Sequence, residues 1–340
     1  MKSALTYDDV LLVPQYSDIK SRSEVDISSG LSNNIILNTP IISSPMDTVT
    51  EAPMALAMDI AGGLGIVHRY NEIEEQALSV KTLYCAGVKH PAAAIGMAGD
   101  YIERASALVR AGAGILCVDV AHGHHSMMEH CLKALKELFG NDIHVMAGNV
   151  ATRAAYEALS RWGADSIRCN IGGGSICSTR IQTGHGVPGL QTILDCAEAG
   201  LDTPIIADGG IRSSGDIAKA LAAGADFVMV GSLLAGTDET PGRVVSNLAG
   251  DKHKVYRGMA SRDAQSAWRG RLTSAPEGVS TTVHYKGPAA DVLKDLSMGL
   301  KSGLSYSGSR TISEFRAKAQ FVRQTSSGQT ESGTHILRSF

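Results

Sequence analysis

Short apolar runs recur along this chain, each ending in small or polar residues and each followed by an amphipathic stretch of helical period. That alternation predicts a parallel sheet whose strands are joined by helices. The runs place strands at Pro40–Ser44, Leu64–His68, Ala92–Met97, Ile115–Val120, His144–Asn149, Ser166–Asn170, Pro204–Asp208 and Phe227–Gly231. Helices are expected at Glu51–Ile60, Glu72–Leu83, Tyr101–Ala111, Ser126–Phe139, Arg153–Trp162, Leu190–Ala199, Ser214–Ala223 and, after a long interruption, Ala289–Ser302. Eight strand–helix units close a (β/α)8 TIM barrel, an α/β fold.

The phrase Ala-Gly-Ala at 111–113 and 223–225, with Trp162-Gly163-Ala164 in the matching place, falls between a helix and the next strand. Glycine there ends a helix in the left-handed conformation. A doubly wound open sheet is the competing architecture, but the first strand–helix turn lacks G-x-G-x-x-G. The interruption, about Thr237 to Gly287, leaves the face where barrels carry their sites and reads as a mobile flap after the eighth strand. Gln324–Phe340, rich in Ser, Thr and Gly, reads as an arm or a poorly ordered tail of this single 1–340 domain.

Composition narrows the function. The chain has 340 residues, 44% of them hydrophobic, enough for one large core. A net charge of −3 with no dense Lys/Arg block argues against a nucleic-acid surface. The acidic start Tyr7-Asp8-Asp9 and the lack of a membrane-length apolar run point to a soluble, cytoplasmic protein. Six cysteines without C-x-x-C spacing or a matched His pair argue against zinc. Cys117 and Cys169 fall in strand-like runs and Cys131 and Cys196 in helix-like ones, where packed thiols are expected.

Cys177 differs, because it sits in the glycine-rich stretch Gly172-Gly173-Gly174-Ser175-Ile176-Cys177-Ser178-Thr179-Arg180 directly after a strand. Such a loop can cradle an anion on its N–H groups and present a nucleophile to the group the anion carries; a flexible turn with an incidental cysteine is the plainer alternative. The residues at and just beyond the strand ends form one polar set: Ser44, Met46 and Asp47; His68, Arg69 and Tyr70; Asp119 with His122 and His124; Asn149; the Cys177 loop; Asp208-Gly209-Gly210; and Gly231-Ser232. The last two groups end strands seven and eight, where barrels bind phosphate. Asp208 would accept from ribose hydroxyls or else cap the next helix. No carboxylate or cysteine completes a ligand set around His122, His124 and His125, which read as solvated loop residues.

With the strands placed, the chain resembles the IMP dehydrogenase and GMP reductase family along nearly its whole length. The resemblance rests on Thr6-Tyr7-Asp8-Asp9-Val10-Leu11-Leu12, Ser44-Pro45-Met46-Asp47-Thr48-Val49-Thr50-Glu51, Ala147-Gly148-Asn149-Val150, Gly174-Ser175-Ile176-Cys177, Ala207-Asp208-Gly209-Gly210-Ile211 and Tyr256-Arg257-Gly258-Met259, in that order. It implies that Cys177 bonds to C2 of a purine nucleotide, with Thr179 as a partner hydroxyl. It implies that Ser175, Asp208, Gly210, Gly231, Ser232, Tyr256, Gly258, Met259 and Gly278 hold the nucleotide, with Ser44 and Met46 lining its pocket. Asp119, Val120, Ala121 and Asn149 would face the nicotinamide. The carbonyls of Gly172, Gly174 and Cys177, with Glu331 of a neighbouring subunit, would hold a monovalent cation such as K+, and the family implies a homotetramer. The regulatory modules that many dehydrogenases insert after the second barrel helix have no room between Lys81 and Pro91. Four positions depart from the family pattern: Asn170 stands for Gly, Gly173 for Pro, Ser178 for Thr and Gly189 for Gln, and the added glycine freedom puts the cation site in question.

Both chemistries of the family pass through an adduct on Cys177. A dehydrogenase sends hydride to NAD and hydrolyses the adduct with water activated by an Arg-Tyr pair on the flap; a reductase expels ammonia from GMP and takes hydride from NADPH. Between Met259 and Glu277 no Arg-Tyr occurs, and the spacing is the short one of reductases. Glu277 matches the reductase carboxylate that works with Thr179 on the ammonia proton. Ile19–Asp26 and Gln182-Thr183-Gly184 also resemble reductases, whereas Ser44–Glu51, Gly231–Gly236 and the tail through Glu331 resemble dehydrogenases. The expected activity is therefore a GMP reductase using NADPH, with NADH open and IMP dehydrogenase as the alternative. A non-catalytic purine-nucleotide-binding barrel is the third reading, against which Cys177, Thr179 and Glu277 stand together.

Overall fold

The computed structural model describes residues 3–272 and 275–334. Within that range eight parallel strands close into a barrel: β1 (Ile41–Ser43), β2 (Leu64–Val67), β3 (Ala92–Ile95), β4 (Ile115–Asp119), β5 (His144–Val150), β6 (Ser166–Cys169), β7 (Ile205–Asp208) and β8 (Phe227–Val230). Val228, Met229 and Val230 of β8 pair with Ile41, Ile42 and Ser43 of β1 and close the ring. The outer helices are α1 (Ala52–Ile60), α2 (Ile73–Cys85), α3 (Tyr101–Ala111), α4 (Ser126–Phe139), α5 (Arg153–Arg161), α6 (Gly189–Ala197), α7 (Ser214–Ala222) and α8 (Ala289–Tyr306). The barrel expected from the apolar periodicity is the observed fold. Most strands stop a residue or two before their expected ends: Asn170 and Gly231 leave the ladder to line the mouth, and His68 leaves it with Nε2 3.3 Å from Glu51. Conversely, α8 runs past Ser302, since Leu300 and Leu304 continue its buried stripe.

Alternate strand residues face opposite sides, as pleated geometry requires. Ile42, Ile66, Ile115, Cys117, Met146, Ile206, Phe227 and Met229 fill the interior, and Val118, Val145, Ile167 and Val228 pack under the helices. The hairpin Ser29–Ser32 and Ile35–Leu37 inserts Leu31, Ile35 and Leu37 into the interior cluster and stoppers the N-terminal end. Its strands are too short for periodicity to reveal. Likewise unforeseen, Val10–Leu12 pairs antiparallel with Phe321–Arg323 across nearly the length of the chain.

The two segments expected as flap and C-terminal arm carry secondary structure that periodicity did not show. The insertion between β8 and α8 holds regular structure, a sheet of Val245–Ser246, Lys252–Arg257 and Ser280–His284 with a helix at Arg262–Arg269. The buried Lys254 ammonium roots it, donating to the Thr237 carbonyl at 3.1 Å. In the C-terminal stretch Ser326–Glu331 is helical, and Gln324 ties it down by donating to the Asp8 carbonyl at 2.7 Å. Residues 335–340 of the expected tail lie outside the described residues.

His144, at the start of β5, is buried with Nε2 2.8 Å from Ser166 Oγ. Burial pushes its pKa down from 6.5 to about 4. The folded state therefore binds this proton less readily than the unfolded chain. Its contribution is complete above about pH 6.5 and is lost as pH falls toward about 4, a change on the order of 1–3 kcal/mol. Denaturant midpoints measured across that window should fall with pH in the wild type and fall less steeply in His144→Gln.

Candidate active site

The C-terminal ends of the strands open into a cleft of about 330 Å³. Because all eight strands run the same way, the residues leaving each one are delivered to this mouth. Ser44 and Met46 arrive after β1, Asp119, Val120 and Ala121 at the end of β4, and Asn149 late in β5. The turn after β6 supplies Gly172, Gly174, Ser175, Cys177 and Thr179; β7 supplies Asp208 and Gly210, and β8 Gly231 and Ser232. Tyr256, Gly258, Met259, Glu277 and Gly278 enter from the insertion. Every nucleotide, cofactor and catalytic candidate taken from the sequence thus lines one wall.

The Cys177 turn is stitched to the flap by main-chain bonds. Cys177 N–H donates to Gly174 O at 3.1 Å, Ser178 N–H to Glu277 O at 2.9 Å and Val279 N–H to Ile176 O at 3.0 Å. The Cys177 thiol donates to Thr179 Oγ1 at 3.1 Å, so thiol and hydroxyl already share a proton path. Glu277 is half-buried on the same wall, and its carboxylate makes no hydrogen bond or ion pair with a described side chain. Of the two flap arginines that could pair with it instead, Arg271 does not, and the side chain of Arg269 lies outside the described ones.

After β7, Gly209 and Gly210 take φ of +88° and +80°, a conformation that favours glycine. A Cβ on Gly231 would stand 3.0 Å from the Tyr256 hydroxyl and 3.2 Å from Met46 Sδ, so a side chain there would close the ledge. The N–H groups of Gly210, Gly231 and Ser232 have no acceptor among the described residues. Burial raises the Tyr256 phenol, which is hydrogen-bonded to Ser175 and remains a neutral donor. These are the groups a phosphate requires.

The other end is set by a residue that sequence reasoning misses. Arg168 on β6 is buried, with Nη1 2.5 Å from Asp119 Oδ1 and Nη2 2.8 Å from Asp208 Oδ2. Burial opposes its charge, but Asp208 and Asp119 more than offset that and hold its pKa well above the ordinary value. Asn149 Nδ2 donates to the same Asp208 oxygen at 2.8 Å. Asp208 does not cap α7; Ser213 does. An arginine inside an apolar strand is the signal that could have found it, since such a charge must find carboxylates.

The sequence matches the IMP dehydrogenase / GMP reductase domain family over residues 4–335. It is 35% identical to an inosine-5'-monophosphate dehydrogenase of Nitrosopumilus maritimus, covering 98% of both chains. Against a GMP reductase of Leishmania major it is 34% identical, over 99% of this chain and 98% of that protein. A solved GMP reductase variant of Trypanosoma brucei, in complex with guanosine 5'-monophosphate, superposes with a TM-score of 0.91 at 32% identity and 98% coverage of each chain. The chain belongs to the IMP dehydrogenase / GMP reductase family.

Family members are oxidoreductases of purine nucleotides, and this chain is an enzyme of that class with a purine nucleotide as substrate. The family uses nicotinamide cofactors, and the cleft has a group to receive one. Asn149 Oδ1 is buried without a hydrogen-bond partner among the described residues, so it can accept from a carboxamide N–H. Above it, Tyr70 stacks on Trp268 of the flap helix with ring centroids 6.0 Å apart, and the Arg69 guanidinium lies 5.4 Å from the Tyr70 ring. His122, His124 and His125 are exposed at the entrance, and His125 caps α4 by accepting from Met127 N–H. Among the described residues no helix is long and apolar enough to cross a membrane.

Removing the guanidinium would leave Asp119 and Asp208, both only partly exposed, with like charges and no cation between them. Arg168→Met should destabilise the fold by about 3–5 kcal/mol and weaken nucleotide binding, as read by denaturant titration and by calorimetry with GMP. A variant as stable as wild type would show that the carboxylates are accommodated without their cation.

Proposed function

We propose that this chain is a GMP reductase, carrying out the NADPH-dependent reductive deamination of GMP to IMP and ammonia. The observation that carries the reading is the Glu277 carboxylate, without a partner among the described side chains and delivered by the flap to the Cys177–Thr179 turn, on a segment without the Arg-Tyr pair that hydrolysis of the adduct needs. Cys177 adds through sulfur to C2 of the purine, and the C2 amine leaves as ammonia. Thr179 and Glu277 carry the proton that this departure takes. A reduced nicotinamide held along Asp119, Val120, Ala121 and Asn149 would supply the hydride that C2 takes up, and cleavage of the C–S bond then returns Cys177 to its thiolate.

Ser175, Tyr256 and the free N–H groups of Gly210, Gly231 and Ser232 hold the phosphate. Asp208, fixed by Arg168 and Asn149, takes the ribose hydroxyls. Asp119, Val120, Ala121 and Asn149 form the nicotinamide wall. The remaining parts of the proposal rest on the family resemblance: a soluble cytoplasmic homotetramer, with K+ on the carbonyls of Gly172, Gly174 and Cys177 and on Glu331 of a neighbouring copy. Relatives named as dehydrogenases, one 40% identical from Cryptosporidium parvum, favour IMP dehydrogenase as the second reading.

Incubation with GMP and NADPH should consume the reduced cofactor and release ammonia, while IMP and NAD yield little XMP; vigorous XMP formation would establish the second reading instead. Cys177→Ala should abolish turnover and keep GMP affinity within about threefold, because the thiol serves the chemistry and not the phosphate. In single-turnover experiments Glu277→Gln should slow ammonia release by about 10²–10⁴-fold and hydride transfer much less. Wild-type ammonia release in that variant would remove Glu277 from the mechanism.

A further inference from the structure

Asn170, Gly173 and Gly189 depart from the family pattern at separate places in the sequence, yet in the fold they touch. Asn170 is buried and is the one non-glycine among the described residues with positive φ, at 142°. That conformation is uncommon for a side-chain-bearing residue and persists where neighbours enforce it. Here the neighbours are explicit. Its carbonyl accepts from Asn149 Nδ2 at 2.9 Å, its own Nδ2 donates to Gly209 O at 3.3 Å, and its Oδ1 accepts from Arg180 Nη2 at 3.3 Å.

The carboxamide occupies the space that side chains at the two glycines would need. A Cβ on Gly173 would fall 2.0 Å from Asn170 Nδ2, and one on Gly189 3.2 Å from the same atom. Arg180, three residues past Cys177, is in turn held by the carbonyls of Ile171 at 3.1 Å and of Val187. The turn from Asn170 to Arg180 is therefore fastened at both ends by one side-chain pair, and its base is tied to the Asp208-Gly209 loop.

We propose that Asn170 is a positioning residue for Cys177: its carboxamide fills the volume vacated at Gly173 and Gly189 and fixes the thiol's turn against the nucleotide loop. The three departures are one compensated exchange. Additional glycine does not loosen this turn, because the asparagine braces it from within. The activity part of this inference rests on the reading of Cys177 as the nucleophile, whereas the coupling between positions 170 and 173 does not.

The test compares wild type, Asn170→Gly, Gly173→Ala and the double variant in the full chain. Three quantities are read: melting temperature, Cys177 alkylation by iodoacetamide without nucleotide, and kcat and KM for GMP with NADPH. Asn170→Gly should remain folded, alkylate at Cys177 about threefold faster or more, and lose about tenfold in kcat with little change in KM, as misplacement of a reacting group does. Gly173→Ala should be severely impaired or fail to fold in the wild-type background, and add less than about twofold to the loss in the Asn170→Gly background.

Equal effects of Gly173→Ala in both backgrounds, a double variant that does not fold, or unchanged alkylation and kcat in Asn170→Gly would each overturn the proposal. Should the wild type turn over neither GMP nor IMP, the functional reading fails, while alkylation and melting still decide the coupling.

Discussion

A single buried guanidinium organises the mouth of this barrel. Arg168 on β6 reaches Asp119 on β4 and Asp208 on β7, so three strands are held in one ionic arrangement. A charge removed from water is tolerable only with its partners in place, and the carboxylates on either side are in the same position. Their geometry is thus specified far more tightly than loop residues could be by packing alone. The consequence reaches several residues that line the cleft: Asp119 and Asp208 are held by the guanidinium, and Asn149 is oriented by donating to Asp208, which leaves its Oδ1 without a partner among the described residues.

The same burial sorts the thiols. Cys117 lies beside Arg168 in the barrel interior, and desolvation pushes its pKa up to about 12; Cys131 is likewise pushed up to about 12, and Cys169 is raised as well. These side chains are small apolar fillers at neutral pH. Cys177 alone among them opens onto the cleft, next to a hydroxyl and a carboxylate. The burial of Cys117, Cys131 and Cys169 agrees with the packed thiols expected from their strand-like and helix-like settings, and the opening of Cys177 onto the cleft agrees with its glycine-rich loop.

The flap joins the site by main-chain register instead of by side-chain reach. Bridges between Cys177 and Gly278 and between Ser261 and Gly278 place Glu277 as rigidly as a strand residue. Side-chain contacts add to this attachment, with Arg257 on Asp47 at 2.5 Å and Trp268 on Tyr70.

Periodicity made the barrel legible, since eight apolar runs with helical partners admit few other closures and strand direction then names the residues that reach the mouth. The glycine-rich setting of Cys177 and the doublets after β7 and β8 were readable because they are local. The bottom hairpin, the pairing of Val10–Leu12 with Phe321–Arg323 and the flap sheet were not, because short strands carry too little pattern and their partners lie far away along the chain. Arg168 was hidden for a related reason: a charge in an apolar strand announces a need for partners without saying which. The sequence by itself determined the strand order, the set of groups gathered at one end and the family. Only the tertiary structure decided which charges neutralise one another and that Asn170, Gly173 and Gly189 share one volume, because contact and desolvation arise only when distant segments meet.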